Sequence, residues 1–474
     1  MENSKLILFL KKMRPGQLKK IQAMADSPYF NTDEALCQLV KVLMQFAPDF
    51  DSPELTKENI FKLAFPKQKY DEKKLSYLLS DILSIAEQYV VQERFKEQSI
   101  QQQFYLLMEY TALDLEKHYR STMSTARKDQ KRKSFRDADF FYDEFLLEAA
   151  DNAYFDKQRS HRFDKSLQLA IDNLDIYFLT LKLKYSCEIL NRRNVVASDY
   201  EIKLLDEILR YIDKHDFNQA PAIQVYYSIL MTLKEPEKTL HFEQLKKLLK
   251  AHTDKFSSKE ARDMYAYAQN YCIKQVNNGN MDYLKDLFQL YKMTIDSRII
   301  FFGKHISPWT YKNITSVALR LEEFQWAEQF VENYKEHIES DFRKDAYAYN
   351  MASIYFDKKD FEKAQELLQD VEFSDLFYSL DSKAMMLRIY YELEVMKPLA
   401  SLLDSFRVYL KRNKQVSDYQ RTLYLNLIKY VREASKLRPH EKELAKKLKN
   451  KIEKNKNVAY LKWVKDIVER KVNS

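Results

Sequence analysis

Apolar side chains recur at three- and four-residue intervals along almost the whole chain, and the two-residue alternation of a half-buried strand is hard to find. This pattern predicts helices of about 12 to 20 residues joined by roughly two to six polar residues, the layout of antiparallel neighbours packed in sequence order. Helix starts are marked by Ser198 with Glu201 and by Ser257 with Glu260, which fit the capping box, and by Asn31 and Asp360, which suit an N-cap. Pro221, Pro308, Pro398 and Pro439 each fall near the start of an apolar-periodic segment, where a missing N–H costs little. Asn277, Asn278, Gly279 and Asn280 spell the clearest single turn.

The spacing divides the chain into four regions. Residues 1–95 read as a small helical N-terminal module, with Phe30, Leu36, Leu39, Leu43, Phe46, Phe61, Phe65, Leu75 and Leu78 on short helices divided by Pro28, Pro48, Pro53 and Pro66. Residues 96–170 carry longer helices with basic and acidic runs, residues 171–433 a series of helix pairs, and residues 434–474 a basic terminal pair.

Within the series the pattern repeats. Met351, Ala352 and Tyr355 share one helix face, Asp360 marks a turn, and Phe361, Ala364 and Leu368 follow on the next helix. A shift of 37 residues toward the N-terminus lands on Ile314, Thr315, Ala318, Phe324, Ala327 and Val331. A shift of 35 the other way lands on Met386, Leu387, Tyr390, Met396, Leu399 and Leu403. All but Thr315 are apolar. At these residues the chain resembles the tetratricopeptide repeat, a helix-turn-helix unit of about 34 residues with small side chains where the paired helices cross. Ala352 and Ala364 fit those small positions, whereas Ala348 stands where the family has tryptophan, Ala352 where it has glycine, and Leu387 and Leu399 take the small positions of the next unit. The resemblance is clearest over residues 313–410. It implies an all-α fold, a right-handed α-solenoid of antiparallel helix pairs, and protein or peptide binding on the concave surface.

Composition sharpens the fold class. Gly16, Gly279 and Gly303 are the only glycines among 474 residues, where average usage would supply roughly thirty. Hairpin turns and phosphate-cradling loops draw on glycine, so the P-loop, the Rossmann fingerprint and the nucleophile elbow are all unspelled here. Cys37, Cys187 and Cys272 match neither a zinc spacing nor a disulfide framework and read as reduced core residues. The opening run Leu6, Ile7, Leu8, Phe9, Leu10 is cut by Lys11 and Lys12, too short for a secretory segment. No apolar stretch is long enough to span a bilayer, and a cytoplasmic location is the expectation.

Formal net charge is +8. The excess resides in residues 434–474, with 13 Lys and Arg against 5 Asp and Glu, so the rest of the chain is neutral. A second concentration, residues 117–136, includes Arg127, Lys128, Lys131 and Arg132, with Asp129 as its one acid. Acidic residues on both sides cancel it at longer range.

Candidate chemistry is sparse. None of the histidines follows an acid by three positions, and HExxH is absent. His241 and His252 would stand roughly 16 Å apart on one helix, too far to share an ion. Cys187 has no histidine nearby in sequence, and Asp137, Asp139, Asp143 and Glu144 read as a salt-bridged helix surface. Of Tyr347 and Tyr349, two residues apart, either could face a groove; Tyr355 and Tyr390 read as core. At the C-terminus, Leu437, Leu444, Leu448 and Ile452 form one apolar stripe and Val458, Leu461, Val464 and Val468 another, the first surrounded by lysines. That pair reads as a polar cap on the solenoid. The alternative is an electrostatic patch for RNA or the ribosome, in which Lys446, Lys447, Lys449 and Lys451 join Arg127, Lys128, Lys131 and Arg132 as candidate partner-binding residues. Membrane-surface binding would rest on Tyr460 and Trp463 alone. The expectation is a scaffold or adaptor without catalytic residues, cofactor or metal, binding a protein or peptide.

Overall fold

The computed structural model describes residues 1, 3–158, 163–193, 200–369, 375–438 and 441–473. The protein is all-α: 76% helical, with 23 helices among the described residues. It divides into two compact units, Met1–Lys182 and Leu183–Ser474.

In the first unit, α1 (Lys5–Leu10), α2 (Pro15–Ala25), α3 (Glu34–Leu43), α4 (Lys57–Ala64) and α5 (Glu72–Lys96) surround a core of Ile7, Leu10, Ile21, Leu39, Leu43, Ile60, Phe61 and Leu75. Asp33, not Asn31, caps α3. Its carboxylate accepts the Ala35 N–H at 2.8 Å, while Asn31 Oδ1 accepts from Asp33 itself, so the asparagine makes the turn before the cap. Then α6 (Ser99–Ala112), α7 (Glu116–Arg132) and α8 (Ala138–Lys157) pack around Leu107, Tyr119, Met123 and Leu147. The boundary between the units falls within α9 (Lys165–Arg193).

The second unit runs through α10 (Leu205–Ile212), α11 (Pro221–Lys234), α12 (Thr239–His252), α13 (Ser258–Asn277) and α14 (Tyr283–Asp296). A two-residue hairpin follows, β1 (Phe301–Phe302) and β2 (His305–Ile306), in which Phe301 opposes Ile306 and Gly303 turns at φ 65°. After it come α15 (Pro308–Arg320), α16 (Phe324–Tyr334), α17 (Ser340–Asp357), α18 (Phe361–Gln369), α19 (Leu376–Glu392), α20 (Met396–Arg412), α21 (Asp418–Ser435), α22 (Lys442–Glu453) and α23 (Leu461–Asn473). From α11 onward each helix packs on its successor, and first helices of successive pairs pack on one another: α11 on α13, α15 on α17, α17 on α19. This arrangement is compatible with a helical repeat.

The sequence register coincides with the pairs α15/α16, α17/α18 and α19/α20. Ala352 on α17 and Ala364 on α18 are both fully buried, and the two helices pack on each other. The turns carry the same period. Glu322, Lys359 and Glu394, 37 and 35 residues apart, hold left-handed φ values of 63°, 65° and 58°. The next residue's N–H donates five residues back in each case, Glu323 to Ala318, Asp360 to Tyr355 and Val395 to Tyr390, at 2.9–3.1 Å. These are Schellman closures, which satisfy the carbonyls left over at a helix end. Gly279, at φ 100°, makes the same closure after α13, with Asn280 donating to Gln275.

Pro221 and Pro308 open α11 and α15, Pro398 lies in the first turn of α20, and Asp360 caps α18. Ser257 caps α13 through the Glu260 N–H, but the capping box is only half made. The Glu260 side chain turns inward to Tyr226 Oη (2.8 Å) and Lys184 Nζ (3.1 Å). Ser198 and Pro439 lie outside the described residues.

Candidate functional site

The two basic runs differ in what their charges do. Arg127 is only 27% exposed and reaches across from α7 to α8, where it pairs with Glu148 (2.6 Å), Asp151 (2.9 Å) and Glu144 (3.5 Å). Tyr119 donates to the same Asp151 at 2.6 Å. Arg127 is thus a tie between two helices of the first unit. Lys128, Lys131 and Arg132 are exposed on α7 and form no ion pair among the described residues. On α22, Lys446 pairs with Glu443 (2.9 Å), Lys449 with Glu469 (2.6 Å) and Lys451 with Glu433 (3.0 Å); Lys447 is exposed. The apolar stripe of α22 is Ala445, Leu448 and Ile452, and Leu444 is 50% exposed. The next stripe on α23 is Val464, Ile467 and Val468.

Tyr460 and Trp463 point into the protein. Tyr460 Oη donates to Asp381 at 3.1 Å and Trp463 Nε1 to Glu392 at 2.7 Å. With them, α23 closes one side of a cavity of about 850 Å³ whose other walls are α15, α17 and α19, the first helices of three successive pairs, with Phe361 at the start of α18. Tyr349, not Tyr347, faces this cavity; Tyr347 turns to α16 and donates to Glu332 at 2.6 Å. Tyr355 and Tyr390 are half-buried.

Two polar centres organise the cavity. Asp381 on α19 accepts from Lys312 Nζ on α15, Tyr424 Oη on α21 (2.6 Å) and Tyr460 Oη. The ammonium of Lys312 also lies 5.1 Å from the ring centres of Tyr349 and Tyr378. Glu392, 11% exposed, accepts both Nη groups of Arg470 at 2.9 and 2.7 Å as well as the Trp463 indole. Burial alone would raise its pKa, but these hydrogen bonds and the two arginines, Arg470 and Arg388, outweigh it and hold the carboxyl below its usual range.

Arg388 is different. Its guanidinium carbon stands 4.0 Å from the ring centre of Phe356, 4.5 Å from that of Tyr460 and 5.6 Å from that of Trp463. Its Nε is shut off from solvent and has no hydrogen-bond partner, and no carboxylate of the described residues pairs with it. Burial lowers its pKa from the ordinary arginine value. Aromatic faces compensate a cation in part, but they accept no hydrogen bond in the guanidinium plane. Around it the cavity is lined by six cationic side chains, Lys312, Arg320, Lys359, Arg388, Lys462 and Arg470, against Asp357, Glu392 and Asp466.

Elsewhere, Cys187 and Cys272 are fully buried, and burial pushes both thiols up. Cys37 is half-buried against Asn31 and the Ala25 carbonyl. His241 meets Glu235 at 2.9 Å. Among the described residues no group of three metal-ligating side chains forms, and no helix is long and apolar enough to cross a membrane. No family model, curated protein or solved structure matches the chain.

Proposed function

We propose that the protein is a non-catalytic interaction scaffold, a divergent tetratricopeptide-like, right-handed α-solenoid over α15–α20 whose first helices receive a peptide segment of a partner protein. The observation that carries this reading is the cavity between α15, α17, α19 and α23. It is large enough for several residues, it combines apolar and hydrogen-bonding walls, and it stands on the face that the repeat register gives to first helices. The carboxylate partners of Lys446, Lys449 and Lys451 favour a polar cap for the terminal pair.

A second reading, RNA or ribosome association, is favoured by Lys128, Lys131 and Arg132, which stay exposed without acidic partners. Crosslinked recovery of partners by the full chain separates the two. Ser316 is exposed on the cavity wall, and Ser316→Trp fills the groove without entering the core. The scaffold reading expects Ser316→Trp to abolish recovery, and reversal of Lys446, Lys447, Lys449 and Lys451 to Glu to leave it intact. Recovery that survives Ser316→Trp but disappears with nuclease overturns it in favour of RNA, whose binding should also fall steeply with salt.

A further inference from the structure

We infer that Arg388 is the recognition centre of this cavity and that its ligand is the carboxylate of an acidic residue in a peptide, an inference that rests on the groove reading above. A guanidinium with its Nε–H taken out of water and no acceptor for it is costly, because that N–H has lost hydration and gained nothing in return. The rest of the cavity does not repeat this. Lys312 has Asp381 and Arg470 has Glu392, so both neighbouring cations are already neutralised inside the protein. Arg388 alone combines a buried, unpartnered nitrogen with a place on the cavity wall.

The group we assign is an oxyanion, the strongest acceptor for a guanidinium N–H; Asp357 and Glu392 favour the charge of Arg388 through space without forming an ion pair with it. The lining restricts which oxyanion. Asp357, Glu392 and Asp466 stand in the same wall, and they repel a polyanion such as a nucleic-acid backbone while leaving a single negative charge tolerable beside Arg388. Phe356, Met385 and Trp463 offer the adjoining apolar contact, which suits an acid flanked by hydrophobic residues better than a free phosphate. Two of the rings over Arg388 come from α23 and its approach, so the recognition centre exists only when the terminal helix is in place.

The test uses the full chain and four pools of acetylated, amidated hexapeptides with one fixed central residue (Glu, Gln, Lys or phosphoserine), the other positions being randomised over apolar residues. We expect the Glu pool to be retained about tenfold or more over the Gln pool, the discrimination a charge-assisted hydrogen bond supplies. Arg388→Met, which keeps the volume and the aromatic contacts, should erase that preference while retaining a native far-ultraviolet circular dichroism spectrum and a cooperative melt. Arg388→Lys, which keeps charge without the planar fork, should recover part of it. Equal retention of the Glu and Gln pools, or a preference that persists in a folded Arg388→Met, overturns the assignment to Arg388 and leaves the groove reading standing. Preferential retention of the phosphoserine pool replaces the carboxylate by a phosphate and also overturns it. Retention of no pool removes the peptide groove itself.

Discussion

At Lys359 the backbone holds a lysine at φ 65°, where a Cβ meets the following carbonyl. Lys359→Gly should stabilise the protein by about 0.5–1 kcal/mol in denaturant titration, because the turn loses that strain, whereas Lys359→Ala should be nearly neutral. Glu322 and Glu394 sit at the equivalent turns and should respond alike. A destabilising Lys359→Gly would show that the turn is not the closure described. Glu392 makes a pH prediction. Its carboxyl is held below the usual range in the folded state, so it contributes stability that is fully present above the unfolded value of about 4.3 and lost as pH falls through its lower folded value. Thermal melts should therefore show a stability loss below about pH 4.5 that is smaller in Glu392→Gln, which is itself less stable at pH 7. The aromatic surroundings of Arg388 are a residue-scale feature that the sequence conceals, because Phe356, Tyr460 and Trp463 are brought to it from elsewhere in the chain.

For the elements, the hydrophobic period was a reliable guide to which faces touch. The register drawn through Ala352 on α17 and Ala364 on α18 finds both fully buried, on two helices that pack on each other. Ala364→Leu should then overpack the crossing and cost about 1–3 kcal/mol, measured by the chemical-denaturation midpoint. An effect as small as that of Lys359→Ala would contradict the close approach. Legibility declines where two residues compete for one position. Asp33 outranks Asn31 as the cap of α3 because the asparagine's own oxygen is already used by the Asp33 N–H. Ala445 rather than Leu444 faces inward on α22, and one position of rotation turns the leucine to solvent. Glu260 has the spacing of a capping box, yet the Tyr226 hydroxyl and Lys184 draw its carboxylate into the helix interface. Local patterns cannot register such long-range competitors.

At the scale of the molecule, α23 completes the second unit's core as well as the candidate site. Val464, Ile467 and Val468 are at most 1% exposed, and fully buried side chains of this size contribute about 1.5–3 kcal/mol each. Deleting residues 461–474 should therefore destabilise this unit by about 5 kcal/mol or more and uncover Glu392, seen as a lower melting temperature with helicity largely retained in the first unit. An unchanged melt would mean that α23 is dispensable. The sequence by itself determined that the chain is helical. Three glycines and a sustained three-to-four-residue apolar period leave few turns tight enough for strands, and the one hairpin among the described residues turns at one of those glycines, Gly303. It also set the 37- and 35-residue spacing at which the apolar positions and helix ends of α15/α16, α17/α18 and α19/α20 recur. Only the tertiary structure decided what the charges do. Arg127, read from a basic run, is spent on three acids of the next helix, and Arg388, unremarkable in sequence, forms no ion pair among the described residues and keeps an unbonded Nε. The physical reason is that hydrophobic burial follows local periodicity, whereas the fate of a charge depends on which groups folding brings within a few ångströms of it.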